Sequence, residues 1–220
     1  MFEYILFDLD GTLTDPKEGI TKSVQYALAS VDIDEPDLDK LEPFIGPPLH
    51  ESFMEFYGFD RDMAMKLVEK YRERFNVTGI FENKIYPGIA DMLKVLKEAG
   101  CKISIASSKP TVLVERILDH FDIRKYFDSV VGSNLDGTRT KKEEVVEEAL
   151  RQLACVKEKT AMVGDRKFDI EGARAFGLIG VGVSFGYAQG NELEEAGADY
   201  IVDSVEELQK LLLLGGKKND

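Results

Sequence analysis

The sequence predicts an α/β fold in which a parallel sheet is flanked by helices and an all-helical segment is inserted after the first strand. Two observations predict it. Short apolar runs, typical of strands buried on both faces, alternate with amphipathic helical patterns in the later part of the chain. The interval 15–84, in contrast, contains helical patterns and no convincing strand. Alternating strands and helices favour right-handed crossovers and hence a parallel sheet.

The predicted sheet begins at residues 4–7, a continuous apolar run that meets Asp8 at once. The later strands are predicted at residues 102–106, 160–163, 178–183 and 200–202. The helices between and after them are predicted at residues 89–99, 112–120, 143–153 and 205–214. We therefore expect residues 1–14 and 85–214 to form one core domain.

The predicted insert, residues 15–84, contains a turn of glycine and proline at 46–48, and a similar turn at 86–88 follows it. Its helices are predicted at residues 18–31, 49–57 and 61–75. We expect it to form a helical cap domain. The polar tail, residues 215–220, is expected to be disordered.

The charge of the chain limits its partners. It carries 28 Lys and Arg against 41 Asp and Glu, a net charge of −13, and the acids are spread along the sequence. Nucleic acids require clustered basic residues, so we expect no nucleic-acid partner. A small phosphorylated ligand would need a locally cationic site.

The apolar runs and the two cysteines indicate in which cellular compartment the protein is expected. No run approaches the ~18 apolar residues of a membrane span, so no membrane partner is expected. The first seven residues have no basic region and no small-residue cleavage site, which argues against a signal peptide. Cys101 and Cys155 form no metal or disulfide pattern and favour a reducing compartment. We expect a cytoplasmic protein.

Polar residues follow the predicted strands at the sheet edge where ligands bind in open parallel sheets. The residues that follow the first three runs are Asp8 with Asp10, Ser107–Lys109, and Asp165 with Asp169. Acids, hydroxyls and a lysine should therefore meet at one edge.

The pair Asp8 and Asp10 can perform phosphoryl chemistry. An aspartate with a pKa near ~3.9 is ionised at neutral pH and can attack phosphorus. A second carboxylate two residues on can protonate the leaving alkoxide and deprotonate the attacking water. An Asp-x-Asp-Gly surface turn is the alternative explanation of this pattern.

Asp165 and Asp169 lie one turn apart if a helix begins there. Several acids at one edge repel each other unless a cation is present, and Mg²⁺ fits because it prefers oxygen ligands and needs few from the protein. Asp165 could instead serve only as a helix N-cap.

Two further positions offer phosphate ligands. Ser107 can donate its hydroxyl to a phosphoryl oxygen or cap the helix that begins near Pro110. Lys142 lies three residues before the apolar pair Val145–Val146, so its stem should face inward, and it can neutralise phosphate as a point charge. Lys141 remains an alternative to it, and both could be a solvated basic pair.

These motifs make the chain resemble the haloacid dehalogenase superfamily. The runs Asp8–Leu13 and Gly164–Asp169, with Ser107 and Lys142 between them, resemble the four motifs of its phosphatases, closest to the phosphoglycolate phosphatase and 5′-nucleotidase branch. The resemblance extends to about residue 213 and implies a Rossmann-like core with a helical cap. Ser108 departs from the asparagine of many relatives, and Lys142 lacks their following proline.

The resemblance implies a role for each acid. Asp8 would be the covalent nucleophile and Asp10 the general acid and base. Asp8, the main-chain carbonyl of Asp10 and Asp165 would bind Mg²⁺, with Asp169 supporting the metal indirectly. The implied activity is Mg²⁺-dependent hydrolysis of a phosphate monoester through a phosphoaspartate.

The same resemblance assigns the other ligands. Ser107, Ser108 and Lys142 would bind the phosphoryl oxygens. Gly46 would lie on the cap loop that faces the site, and Arg74 is a further candidate for substrate specificity.

Other activities are compatible with the same residues. A dehalogenase would not need Asp10 or Asp165, but a phosphomutase of the β-phosphoglucomutase type would use the same residues. A non-catalytic phospho-accepting switch domain is the alternative from another class. Phosphoglycolate, nucleoside 5′-monophosphates, small sugar phosphates and pyrophosphate all remain possible substrates, and the protein could be a monomer or a homodimer.

Overall fold

The structure is a computed structural model and describes residues 1–136 and 138–215. The chain forms two compact units. One contains Met1–Thr14 and the chain from Ile85 onward, and the other contains Asp15–Lys84. The tail that the sequence predicts to be disordered lies, from residue 216 on, outside the described residues.

The larger unit is built on a parallel sheet of six strands within the part of the chain that the structure describes. The spatial order is β5-β4-β1-β6-β7-β8, and β2 and β3 pair separately as a short ribbon. The strands are β1 (Tyr4–Phe7), β2 (Thr14–Asp15), β3 (Lys84–Ile85), β4 (Lys102–Pro110), β5 (Ser129–Ser133), β6 (Thr160–Gly164), β7 (Ile179–Val183) and β8 (Tyr200–Val202). The predicted fold class is confirmed.

Strand β1 lies in the middle of the sheet because its side chains can be buried on both faces. It pairs in parallel with β4 and β6, and Ile5, Leu6 and Phe7 are fully buried. Leu6 packs in a core cluster with Val145, Val146 and other apolar residues of the helices on that face. The strand end therefore delivers the next residue, Asp8, to the centre of the carboxyl edge.

Most of the α-helices follow the predicted apolar periodicity closely. The helices are α1 (Lys17–Ala29), α2 (Leu49–Tyr57), α3 (Arg61–Phe75), α4 (Ile89–Glu98), α5 (Thr111–His120), α6 (Lys142–Leu153), α7 (Lys167–Ala175), α8 (Glu192–Ala196) and α9 (Val205–Leu214). Helix α8 was not predicted. Helix α7 begins two residues after Asp165, and α6 begins at Lys142, so both helix starts lie at the candidate site.

The unit Asp15–Lys84 contains α1, α2, α3 and a 3₁₀-helix over Leu38–Phe44. Its helices pack through apolar side chains that include Val24, Phe53 and Leu67, all essentially buried. Helix α1 approaches the turn at Gly79 so closely that a Cβ on Gly19 would lie 1.9 Å from the Gly79 carbonyl oxygen.

Strands β4 and β5 of the larger unit differ from the prediction. Strand β5 was not predicted, because its apolar pair Val130–Val131 is followed at once by Gly132 and makes a very short signal. Strand β4 runs four residues past the expected end at Ala106, with a register shift against β5 between Ala106 and Pro110. Ser107 therefore lies within a strand end rather than after it.

None of the helices in the described residues is both long enough and apolar enough to span a membrane.

Candidate active site

Asp8 stands at the end of β1 and is fixed by both its main chain and its side chain. Its amide donates a hydrogen bond to the Val163 carbonyl at 2.9 Å. The ammonium of Lys142 donates to Asp8 Oδ1 at 2.9 Å and to the Ala106 carbonyl at 3.0 Å. The Asp8 side chain is 11% exposed. One oxygen of this carboxylate is therefore held while the side chain keeps limited access to a ligand.

Lys142 rather than Lys141 makes these contacts. Lys142 is the first residue of α6 and its side chain is 5% exposed, whereas Lys141 is exposed at the helix N-cap. The Lys142 ammonium also lies 2.7 Å from Asp169 Oδ1. Burial alone would lower the pKa of Lys142, but the charges of Asp169 and Asp8 outweigh it and hold the pKa above its ordinary value.

Asp8, Asp165 and Asp169 form a buried acidic cluster. Each offers a carboxylate oxygen, and these oxygens lie within 4.8 Å of one another. Burial, followed by the charges of Asp169 and Asp8, raises the pKa of Asp165 well above its ordinary value. Burial likewise raises the pKa of Asp169, to about 6, against the opposing charge of Lys142.

This cluster fits a divalent cation. Three carboxylates face one ammonium, so the fully ionised group carries a net charge of −2. The donors are all oxygen atoms, which Mg²⁺ prefers. A cation would also offset the mutual repulsion that raises the pKa of Asp165.

Asp165 is oriented by two donors and by two glycines. Thr12 Oγ1 donates to its Oδ1 at 3.3 Å, and the Tyr187 amide donates to its Oδ2 at 2.8 Å. A Cβ on Gly11, whose φ is +82°, would lie 2.0 Å from Asp165 Oδ2, and one on Gly186 would lie 2.4 Å from Asp165 Cβ. The loop after β1 and the loop after β7 therefore enclose this carboxylate without room for a side chain.

The helix that follows Asp165 explains the position of Asp169. The N-cap of α7 is Arg166, not Asp165, and the Arg166 amide donates to Asp169 Oδ2 at 3.1 Å. The N-cap alternative for Asp165 is therefore wrong. Asp169 joins the acidic cluster directly, although the resemblance implies only an indirect role for it. The guanidinium of Arg166 pairs with Glu192 at 2.6 Å in a buried position.

Asp10 has a different environment from the acidic cluster. Its Oδ2 lies 2.6 Å from Lys109 Nζ, and the two side chains are 13% and 7% exposed. Its Oδ1 is buried and has no hydrogen-bond partner among the described residues. Burial raises the pKa of Asp10 despite the opposing charge of Lys109. Metal binding by Asp10, which the resemblance places on its main-chain carbonyl, stays a prediction.

Ser107 and Ser108 lie at the end of β4, on the strand beside Asp8. Ser107 is buried, and its Oγ accepts a hydrogen bond from the Lys109 amide at 3.3 Å. It does not cap α5, whose N-cap is Pro110 without a side-chain hydrogen bond. The Ser107 hydroxyl proton remains able to serve a ligand, and Ser108 is half-buried. Phosphate binding by both serines stays a prediction.

The two cap candidates are placed within the unit Asp15–Lys84. Gly46 is exposed, with a φ of +107°. The Arg74 guanidinium donates to both carboxylate oxygens of Glu82, at 2.7 and 2.9 Å, and to Ser23 Oγ at 3.2 Å. A substrate anion would have to compete with Glu82 for Arg74, so the structure favours a structural role for this residue. Specificity at Gly46 stays a prediction.

Sequence analysis missed three contributors to the site. It noted Lys109 but gave it no role, and it did not select the Thr12 hydroxyl or the Tyr187 amide. The signal that could have identified Lys109 is a lysine three residues after the predicted end of a strand, at an edge of the sheet where several acids meet. Tyr187 acts through its main chain, so its residue type carries no signal.

Comparisons with known proteins agree with this geometry. The model of the family described as "Haloacid dehalogenase-like hydrolase" matches residues 5–183. A 5′-nucleotidase of Pseudomonas aeruginosa is 50% identical over 189 residues, which are 86% of this chain and 86% of that protein.

Two other relatives extend the comparison. The tyrosine-protein kinase PtkA of Mycobacterium tuberculosis is 34% identical over 212 residues, covering 96% of this chain and 72% of that protein. The crystal structure of a "predicted phosphatase from Clostridium acetobutylicum" superposes with a TM-score of 0.93 at 48% identity, covering 97% of this chain and 99% of that one. The expected family and enzyme class are confirmed, and the chain belongs to the haloacid dehalogenase-like hydrolases, among their phosphatases.

Proposed function

We propose that this protein is a Mg²⁺-dependent phosphatase that hydrolyses a small-molecule phosphate monoester through a phosphoaspartate on Asp8. The observation that supports it most is the arrangement around Lys142. This one ammonium contacts Asp8 at 2.9 Å and Asp169 at 2.7 Å, inside a buried cluster that also contains Asp165. The nucleophile thus lies beside a cation and a cluster of oxygen donors.

The reaction takes place in two displacements at phosphorus. A carboxylate oxygen of Asp8 forms a bond to phosphorus while the bond from phosphorus to the alcohol oxygen breaks, and Asp10 gives its proton to that oxygen. Water then attacks the phosphoaspartate, Asp10 takes a proton from it, and inorganic phosphate leaves Asp8. The enzyme returns to its starting state with Asp10 protonated.

The charged and polar residues stabilise both displacements. The ammonium of Lys142, together with the hydroxyls of Ser107 and Ser108, would neutralise and orient the phosphoryl oxygens. Asp8, Asp165 and the Asp10 carbonyl would hold Mg²⁺, and Asp169 stands close enough to join them or to orient a bound water. When bound, the metal would supply charge neutralisation between the carboxylate nucleophile and the phosphate.

The alternatives can be separated by the acceptor of the phosphoryl group. Hydrolysis transfers it to water, a mutase of the β-phosphoglucomutase type returns it to a sugar phosphate, and a switch domain retains it on aspartate. The PtkA relative adds a protein acceptor to these outcomes. Asp10, a second acid two residues after Asp8, can donate and accept protons while the phosphoryl group is transferred. A switch domain, which only retains the phosphoryl group, does not need such an acid, so Asp10 favours an enzyme.

Nucleoside 5′-monophosphates are the substrate class that we propose to test first. The 5′-nucleotidase relative, 50% identical over 86% of the chain, supports this choice. Phosphoglycolate is the next candidate. The expected cytoplasmic location and the monomeric or homodimeric state also remain predictions.

The test is a panel of phosphate esters incubated with the wild-type protein in Mg²⁺ or in excess EDTA. We expect phosphate release that requires Mg²⁺, with the highest kcat/KM for a nucleoside 5′-monophosphate. Asp8→Asn should abolish release, and Asp10→Asn should slow it while phosphate analogues still bind. Absence of release from every ester with Mg²⁺, or near-normal turnover by Asp8→Asn, would overturn the proposal.

A further inference from the structure

Two acids that are separated by one residue in the sequence have different cationic partners in the structure. Asp8 is paired with Lys142, at 2.9 Å, and Asp10 is paired with Lys109, at 2.6 Å. Lys142 also contacts Asp169, so it belongs to the acidic cluster. The pair of Lys109 and Asp10 therefore forms a second charged unit in the same site.

The pair of Lys109 and Asp10 is largely buried and joins two neighbouring strands. Lys109 extends from the end of β4, and its amide donates to Ser107 Oγ at 3.3 Å, which ties its main chain to the buried Ser107. Asp10 follows β1, the strand that pairs with β4. The side chains are 7% and 13% exposed, so solvent screens this contact far less than it screens a surface ion pair.

The two oxygens of Asp10 are not equivalent. Lys109 holds Oδ2, whereas Oδ1 is buried without a hydrogen-bond partner among the residues that the structure describes. A buried carboxylate oxygen that lacks a partner costs stability unless a ligand completes it. Of the two oxygens, Oδ1 is therefore the one that lacks a partner among the described residues and that a bound ligand could satisfy.

We propose that Lys109 is a positioning residue that orients the carboxyl group of Asp10 so that Oδ1 meets the leaving-group oxygen and then the attacking water. This inference rests on the proposed function. It also gives a reason why the carboxyl group of Asp10 lies apart from the cluster of Asp8, Asp165 and Asp169: it has a lysine partner of its own. A proton donor must lie within hydrogen-bond distance of the atom that it protonates, so a small rotation of Asp10 should be costly.

The proposal makes a specific claim about leaving groups. Proton donation matters most when the departing oxygen is strongly basic, as in an alkyl phosphate, and least when it is weakly basic, as in p-nitrophenyl phosphate. Loss of Lys109 should therefore damage the two reactions unequally. A lysine that only bound the phosphoryl group, which is common to both esters, would affect them equally.

The experiment compares Lys109→Met with the wild type on p-nitrophenyl phosphate and on the best alkyl ester from the panel, through kcat/KM. General acid catalysis contributes about 10²–10⁴-fold, so we expect a loss of about 10²-fold or more for the alkyl ester and under about 10-fold for p-nitrophenyl phosphate. Lys109→Arg, which keeps the charge, should restore part of the alkyl-ester rate. Lys102→Met, at the exposed start of the same strand, is the matched control and should behave as wild type.

A double variant tests whether Lys109 acts through Asp10. In the Asp10→Asn background, Lys109→Met should cause little further loss on the alkyl ester, because the group that it positions no longer carries the proton. Equal losses on the two esters, or losses that multiply in the double variant, would overturn the inference. Thermal unfolding of each variant shows whether it is folded. If Lys109→Met is not folded, Lys109→Arg is used to test the same claim. An inactive wild type would instead contradict the proposed function.

Discussion

At the scale of single residues, the site depends on Lys142 for stability as well as for chemistry. Its ammonium is 5% exposed and lies between Asp8 and Asp169. Two buried carboxylates share this one cation, and breaking a buried ion pair by removing one partner leaves an uncompensated charge that costs about 3–5 kcal/mol. Lys142 is thus a residue whose loss should be visible even without substrate.

We predict that Lys142→Met lowers the free energy of unfolding by about 3 kcal/mol in EDTA, measured by urea denaturation at pH 7.5, and lowers kcat by at least about 10²-fold. Lys141→Met is the matched control, since Lys141 is exposed one residue earlier, and it should change neither quantity appreciably. Equal effects of the two substitutions would contradict the contacts of Lys142 and its assigned role.

The candidate residues were predictable where a residue type suited to phosphoryl chemistry occurred at the end of a predicted strand. Asp8, Asp165 and Asp169 do meet at one edge, as parallel strands require. The preference for Lys142 over Lys141 was predictable as well, because Lys142 lies three and four residues before Val145 and Val146 and shares their buried helix face. The partner of Lys109 was not predictable, since it is set by how far β4 continues past Ala106.

At the scale of elements, the loop after β7 controls the geometry of Asp165. Its Tyr187 amide donates to Asp165 Oδ2 at 2.8 Å. Its Gly186 packs so tightly that an added Cβ would lie 2.3 Å from the Gly11 carbonyl oxygen and 2.4 Å from Asp165 Cβ. Both neighbours are backbone or a short side chain, so they cannot move aside cheaply.

We therefore predict that Gly186→Ala lowers stability by about 1–3 kcal/mol, the usual cost of overpacking, and weakens Mg²⁺ binding. The measurements are urea denaturation and a Mg²⁺ titration monitored by isothermal calorimetry. Gly180→Ala in β7 is the control, because a Cβ there would meet its nearest neighbour, Ile170 Cγ2, at 3.4 Å. Unchanged Mg²⁺ affinity in Gly186→Ala would show that the loop does not hold the carboxylate in place.

The elements themselves were predictable in proportion to the length of their apolar pattern. Helices such as α4 and α9 begin at the predicted residues, because several turns repeat the same apolar face. Strand β5 and helix α8 were missed. Both are five residues long, which is too short for periodicity to be distinguished from chance, and only packing onto the finished sheet selects their conformation.

At the scale of the whole molecule, the excess of acidic over basic residues matters most at the candidate active site. The chain carries a net charge of −13, and the described acids that could hold a metal ion lie in one buried cluster. Binding of a phosphate ester, the anionic substrate that we propose, would therefore require Lys142, Lys109 and a bound cation to offset the negative charge of these acids. This requirement links substrate binding to metal binding.

The same cluster predicts how stability depends on pH when no metal is bound. The pKa of Asp169 is raised from 3.8 to about 6, and that of Asp165 is raised well above 3.8, by burial and by neighbouring charges. These two groups therefore bind more protons in the folded protein than in the unfolded chain, between about pH 4 and pH 6 for Asp169. Their contribution to stability is fully present below this range and is lost as the pH rises through it.

We expect Mg²⁺ to remove much of this loss, because it stabilises the ionised carboxylates and binds only the folded state. The increase in Tm on adding Mg²⁺ should thus be larger at pH 7.5 than at pH 5, measured by differential scanning fluorimetry against EDTA. Asp165→Asn removes one titrating carboxylate and changes the shape of the side chain little. In EDTA, the Tm of this variant should therefore fall less between pH 5 and pH 7.5 than the Tm of the wild type. A Mg²⁺ effect of the same size at both pH values, together with an unchanged pH slope in Asp165→Asn, would show that the buried acids do not hold the cation.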